Sequence, residues 1–250
     1  GIDGVAHVLG QIPWRPEVVI LPDGGANMQL VTEQKGVLRL RLEAFGTAAH
    51  GSRPWKGDSA IDRLYRGYQK LMRAYPHPVA EDDWRVSVNL SELHGGLTPN
   101  SVPWRAEATL DIRYPQTTPT AGVDLLRAIQ RRLAPLNIQA HSQKVVAGFV
   151  LDMTTPAVDC LQTVSRHIRR ADLTPSRECG SSDAHYLAQA GVPVLMFQPD
   201  CDEWHGENEW INLESLATFR SMCLAFARSW MSRPRAAAPL VAKEPLSLAQ

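Results

Sequence analysis

The sequence predicts an α/β protein interrupted by a smaller α+β sandwich. Three observations carry that reading. Short, wholly apolar runs near both ends of the chain look like strands buried on both faces. Between them lie segments of strict two-residue alternation, the mark of a sheet with one wet face. Amphipathic stretches with helical spacing separate the alternating segments.

In chain order, EVVILPDGGAN (Glu17 to Asn27) is an apolar run that breaks at Pro22-Asp23-Gly24-Gly25, which reads as a buried strand followed by a tight loop. VLRLRLEAF (Val37 to Phe45) alternates, with Leu38, Leu40, Leu42 and Ala44 on one face and Arg39, Arg41 and Glu43 on the other. SAIDRLYRGYQKLMRAY (Ser59 to Tyr75) repeats Ile61, Leu64, Tyr65, Tyr68, Leu71, Met72 and Tyr75 at helical spacing. RVSVNLSEL reads as a strand. WRAEATLDIRY (Trp104 to Tyr114) alternates again, with Trp104, Ala106, Ala108, Leu110 and Ile112 expected inward. AGVDLLRAIQRRLAPL then reads as a helix and NIQAHSQKVV as a strand. The order strand, helix, strand, strand, helix, strand from 36 to 150 suits a split β-α-β, ferredoxin-like insertion. Beyond it, AVDCLQTVSRHIRRADL is expected to be helical, GVPVLMFQP (Gly191 to Pro199) a second buried strand and NLESLATFRSMCLAFARSWM (Asn212 to Met231) a closing helix. The expected domains are 1–35, 36–150 and 151–232, with 233–250, rich in Ala and Pro, as a poorly ordered tail.

Composition narrows the partners. Lys plus Arg and Asp plus Glu are equal at 26 each, so no charge excess points to nucleic acid or an anionic membrane, and a small-molecule substrate is the expectation. No apolar run is long enough to span a bilayer. Four scattered cysteines form no CxxC pair, which argues against a zinc knuckle or a disulfide framework and fits a cytoplasmic location.

The candidate chemistry begins in WHGENEW (Trp204 to Trp210). His205 comes after the second buried strand among Asp200, Asp202, Glu203, Glu207 and Glu209, a setting that suits a zinc ligand but that, taken alone, reads first as a solvated acidic loop. Asp23 ends the other buried strand. Parallel pairing of the two strands would bring both loops to one edge, although PDGGAN also reads as a plain turn. GxSxG is absent, and Cys179 beside His185 lacks an orienting third group, so neither a serine nor a thiol nucleophile is favoured.

Four blocks in order, GTAAHGSRPWKGDSAIDRL (Gly46 to Leu64), HGGLTPNSVPWRAEATLDIRYP (His94 to Pro115), GSSDAHYLAQAGVPVLMFQP (Gly180 to Pro199) and HGENEWI (His205 to Ile211), resemble the co-catalytic zinc metallopeptidase family of aminoacylase, acetylornithine deacetylase, succinyl-diaminopimelate desuccinylase and carboxypeptidase G. The resemblance implies a zinc-peptidase-like catalytic domain carrying an inserted lid and dimerisation domain, two zinc ions in a complete enzyme, and hydrolysis of amide bonds in N-acyl amino acids or small peptides. By motif position, Asp23 and His205, the latter followed by Asn208 and Glu209, would be metal ligands. His50 would reach across a homodimer to the scissile carbonyl. Asn100 and Arg113 would hold the oxyanion or a substrate carboxylate, and Gly180, Ser181 and Ser182 would form the loop that faces the substrate. Without the resemblance, His50 reads as a loop histidine, Asn100 as a turn residue and Arg113 as a solvated strand charge.

The sequence departs from the family at one point. The His-x-Asp motif and Glu-Glu pair that members carry upstream are absent. The resemblance therefore implies a chain that begins just after the catalytic base, with an upstream segment as a possible partner. A non-catalytic dimerising or ligand-binding remnant is the alternative.

Overall fold

A computed structural model describes residues 2–80 and 82–234. The expected tail lies outside the described residues from 235 onward. In chain order the main elements are α1 (His7–Gln11), β1 (Val19–Leu21), β2 (Leu30–Gln34), β3 (Gly36–Phe45), α2 (Ala60–Ala74), β4 (Ser87–Gly95), β5 (Arg105–Tyr114), α3 (Ala121–Leu133), β6 (Ile138–Val146) and β7 (Phe149–Val150). They continue with α4 (Pro156–Arg169), β8 (Pro175–Glu178), α5 (Ala184–Gln189), β9 (Val194–Met196), β10 (Cys201–Asp202), β11 (Trp210–Ile211) and α6 (Leu213–Met231).

The described chain divides into two compact units. One takes Gln34–Phe149 together with Cys179–Ser181; the other takes the chain up to Glu33, Val150–Glu178 and the part from Ser182 on.

The inserted unit is a four-stranded antiparallel sheet in the order β4-β5-β3-β6, with α2 and α3 on one face. The alternation of the sequence becomes register here. Leu38 pairs with Ile112, Leu40 with Leu110 and Leu42 with Ala108, so their side chains share the helix-covered face. Leu64 and Leu71 of α2 and Leu125, Ile129 and Leu133 of α3 close that core. Ser59 caps α2 by accepting the Asp62 N–H at 3.2 Å. The opposite face carries a charge ladder. Arg41 bridges Glu43 and Glu107, Arg105 bridges the same two carboxylates, and Asp111 takes Arg39 and Arg113.

Trp104 departs from the expectation. It stands just before β5 and is 47% exposed, because the alternation that would turn it inward holds only where the backbone is already in the strand. Tyr65, expected on the apolar stripe of α2, also faces outward.

In the other unit, β1 and β9 pair in parallel, with Val19 opposite Val194, Ile20 opposite Leu195 and Leu21 opposite Met196. Both strands are shorter than the apolar runs that announced them. A three-stranded sheet in the order β7-β2-β8 lies in sequence that gave no clear strand signal, and β10 and β11 form a small antiparallel hairpin. Helices α4 and α6 pack on each other. No helix among the described residues is long and apolar enough to cross a membrane.

One packing feature of the inserted unit yields a test. Tyr114 is buried, its hydroxyl donates to the Val146 carbonyl at 2.8 Å, and its ring is flanked by Gly36 and Gly122. A Cβ at Gly122 would stand 2.3 Å from the Tyr114 oxygen, so Gly122→Ala is expected to cost about 1–3 kcal/mol by overpacking. Burial pushes the Tyr114 pKa up to about 12 from 10.0. A folded pKa above the unfolded one means stability fully present below pH 10 and lost as pH rises toward 12. Chemical denaturation between pH 9 and 12 should show that loss in the wild type, and Tyr114→Phe should abolish the pH-dependent part.

Candidate functional site

The parallel pairing of β1 with β9 sets the site. Both strands end at the same edge, so the loop after β1 and the segment after β9 emerge side by side. Asp23 is two residues past β1, and its N–H donates to the Leu21 carbonyl at 3.0 Å, which turns the chain sharply. The next residues adopt backbone conformations that favour glycine or asparagine: Gly24 has φ of 142°, Gly25 76°, Asn27 58° and Met28 56°. At Gly25 a side chain has no room, since a Cβ would lie 2.1 Å from the Gln29 carbonyl oxygen.

His205 arrives from the other side. The β10–β11 hairpin, with Cys201 opposite Ile211 and Asp202 opposite Trp210, carries residues 203–209 as its loop, all of WHGENEW but its last residue among them. The loop is tightly wound, with positive φ at Glu203 and His205 and the Gly206 N–H donating to the Glu203 carbonyl at 2.9 Å. Its base is tied to α6. The Asn212 N–H donates to the Asp200 carbonyl at 2.8 Å, the Asp200 N–H donates to Ser215 Oγ at 2.9 Å, and Asn212 caps the helix through the Ser215 N–H.

Asp23 and His205, far apart in sequence, thus fall within electrostatic reach of each other, and Asp183 joins them. Partial desolvation raises the Asp23 pKa above the usual carboxylate value, the nearby Asp183 carboxylate raises it further, and the His205 imidazole draws it back. Sequence reading did not single out Asp183. Its only signal was a carboxylate in the GSSDAH loop immediately before α5. A carboxylate and an imidazole are donors that zinc accepts, while catalytic zinc takes three protein ligands. Among the described residues no group of three or more His, Cys, Asp and Glu stands ready to hold a metal ion, so Asp23 and His205 would supply only part of a donor set.

The remaining candidates lie in the inserted unit. His50 forms an isolated bridge with Ser101, its Nδ1 lies 2.8 Å from Ser52 Oγ, and the neighbouring Gly51 N–H donates to the Asn100 carbonyl at 2.7 Å. His50 and Asn100 are therefore together, both exposed, at the end of the sheet where β5 begins. Arg113 is near the end of β5, held by Asp111 at 2.7 Å. Eight residues of strand between Arg105 and Arg113 span about 27 Å, so Arg113 and the His50–Asn100 pair occupy opposite ends of one sheet. Gly180 and Ser181 are exposed and group with this unit, and a Cβ at Gly180 would meet nothing within 4 Å.

The molecule is thus an α/β unit interrupted by a ferredoxin-like insertion. Residues 32–139 match the family model described as peptidase dimerisation domain. The curated proteins the chain resembles include ones named as carboxypeptidases and as a desuccinylase. A probable carboxypeptidase of Paracoccidioides brasiliensis is 29% identical over 140 residues, 53% of this chain and 30% of that protein. A putative succinyl-diaminopimelate desuccinylase DapE of Mycobacterium tuberculosis is 26% identical over 206 residues, 79% of this chain and 56% of that protein. The fold is shared with aminopeptidase PepT of Bacillus cereus, with a TM-score of 0.70 at 18% identity, covering 86% of this chain and 58% of that one. The chain spans 30% of the first of these relatives and little more than half of the other two.

The contrast between two glycines tests the site's construction. Gly25→Ala must place a Cβ at positive φ against the Gln29 carbonyl and is expected to destabilise by about 1–3 kcal/mol. Gly180→Ala, with open space around it, should leave thermal unfolding unchanged within experimental error.

Proposed function

We propose that this chain contributes to a zinc-dependent hydrolase that cleaves the amide bond of N-acyl amino acids or small peptides. The observation that supports the reading is the parallel pairing of β1 with β9, which sends the Asp23 loop and the segment leading to His205 out of one strand edge, in a chain whose residues 32–139 match the peptidase dimerisation domain. Asp23 would hold zinc through carboxylate oxygen and His205 through an imidazole nitrogen, and the bound metal would supply an acidified water and polarise the carbonyl. His50 and Asn100, exposed and adjacent, are suited to donate hydrogen bonds to the developing oxyanion. Arg113 is suited to a substrate carboxylate, once it exchanges part of its bond with Asp111 for the ligand.

A homodimer is part of this reading. His50 and Arg113 are separated by roughly the length of β5, too far to serve one small substrate from one inserted unit. A second copy offers a way to bring His50 of one chain to the Arg113 end of another. Edge strand β4 is bonded on one side only and exposed along most of its length, which gives a partner's backbone a place to pair. The alternative, a dimerising module without catalysis, makes the same oligomer and differs only in activity. By resemblance, the proton-accepting carboxylate and further ligands belong to His-x-Asp and Glu-Glu motifs that this sequence lacks.

The chain assayed alone with zinc should hydrolyse no N-acyl amino acid. Combined with a polypeptide bearing those two motifs from the same protein, it should gain zinc-dependent hydrolysis. In that complex His205→Ala should remove zinc and activity together. His50→Ala should keep zinc and lower kcat by about 100-fold to 1,000-fold, the usual effect of losing one oxyanion donor. Full zinc occupancy and unchanged turnover in His205→Ala would defeat the reading. Light scattering should give a two-chain mass at micromolar concentration, and a single-chain mass would remove the shared site.

A further inference from the structure

The loop that carries Asp23 is held by two side chains from elsewhere in the sequence, neither of which the sequence marks as a candidate ligand. Glu178, the last residue of β8, accepts the Gly25 N–H through Oε1 at 2.9 Å. Gln198, two residues past β9 and only 7% exposed, accepts the Gly24 N–H through Oε1 at 3.0 Å. The Gln198 backbone adds two more bonds: its carbonyl accepts the Met28 N–H at 3.2 Å, and its N–H donates to the Gly25 carbonyl at 3.3 Å. Four hydrogen bonds from two distant segments therefore converge on Gly24, Gly25 and Met28.

The steric setting makes the arrangement specific. A Cβ at Gly24 would lie 3.0 Å from Met196 Sδ, 3.4 Å from Glu178 Cγ and 3.4 Å from Val31 Cγ2. The peptide is thus seated against β9, β8 and β2 at once. Positive φ at Asn27 and Met28 is costly for residues with side chains, and it persists only when the surroundings over-determine it. The clamp provides that over-determination. With Gly24 and Gly25 fixed, Asp23 has little freedom left except rotation of its own side chain.

We propose that Glu178 and Gln198 are positioning residues that fix the Asp23 carboxylate for a metal ion, through Asp23's two succeeding backbone N–H groups. Neither touches the metal. The inference rests on the reading of Asp23 as a metal ligand. Supporting groups around a ligand typically change metal affinity 10-fold to 100-fold when removed.

The test uses the complex with the polypeptide bearing the His-x-Asp and Glu-Glu motifs, with only this chain isotope-labelled, and needs no catalysis. Zinc chloride is titrated into isotope-labelled protein while the Gly24 and Gly25 amide resonances are followed, and hydrogen exchange at the same amides is measured without metal. Gln198→Met preserves side-chain volume and removes the acceptor. It should speed exchange at Gly24 and weaken zinc by about 10-fold or more. Glu178→Leu should do the same through Gly25, whereas Glu178→Gln retains an acceptor oxygen and should stay within about threefold of wild type in both measurements. Melting temperatures of the three variants separate a local effect from unfolding, because Glu178→Gln and Glu178→Leu share the same backbone setting. Wild-type exchange and zinc affinity in both Gln198→Met and Glu178→Leu would overturn the positioning role while leaving Asp23 a ligand. A zinc response unchanged in Asp23→Asn, or absent from wild type, would overturn the metal reading of Asp23 and the proposal with it.

Discussion

The pairing of β1 with β9 is the constraint on which the candidate site depends. Only three residue pairs define it, yet they join Val19–Leu21 to Val194–Met196 across most of the chain. Because the strands are parallel, their carboxyl ends coincide, and the segments leaving them must share one edge. An antiparallel pairing of the same six residues would leave the two loops at opposite ends of the strands. The burial of Val194, Leu195 and Met196 explains why such a short ladder suffices: its strength comes from apolar packing, with the hydrogen bonds fixing direction.

The rest of that unit can be understood as support for two loops of opposite character. The Asp23 loop is short and needs glycines, because the chain reverses within a few residues of the strand. The His205 loop is longer and is stiffened at its base, where Asp200, Asn212 and Ser215 join the β10–β11 hairpin to the start of α6. One is constrained from within by backbone geometry and the other from below by a capped helix.

Much of this was legible in the sequence, and the reasons differ by region. Strands β3 and β5 were readable because the sheet they form has one apolar and one charged face, which writes a period of two into ten residues each. Trp104 continued that period on paper, but it precedes the strand's first residue and so escapes its geometry. Strands β2 and β8 and the β10–β11 hairpin left little trace: PSRE has no apolar face, and a two-residue pairing is too short for any period. His205 and Asp23 were found because each comes after a recognisable strand. Asp183, Glu178 and Gln198 were not, since their importance arises from the groups they approach in space.

The opposite placement of His50 and Arg113 along β5 has a genetic consequence if chains associate in pairs. Consider a cell expressing two alleles, one damaged at His50 and the other at Arg113. If each pocket also draws its histidine from one product and its arginine from the other, as proposed above, one pocket of a mixed pair inherits both lesions and its counterpart inherits neither. Two null alleles would then complement, with activity approaching a quarter of the normal level when the products assemble at random. Lesions at Asp23 and His205, which would serve one pocket from the same polypeptide, would leave no intact pocket in such a mixed pair.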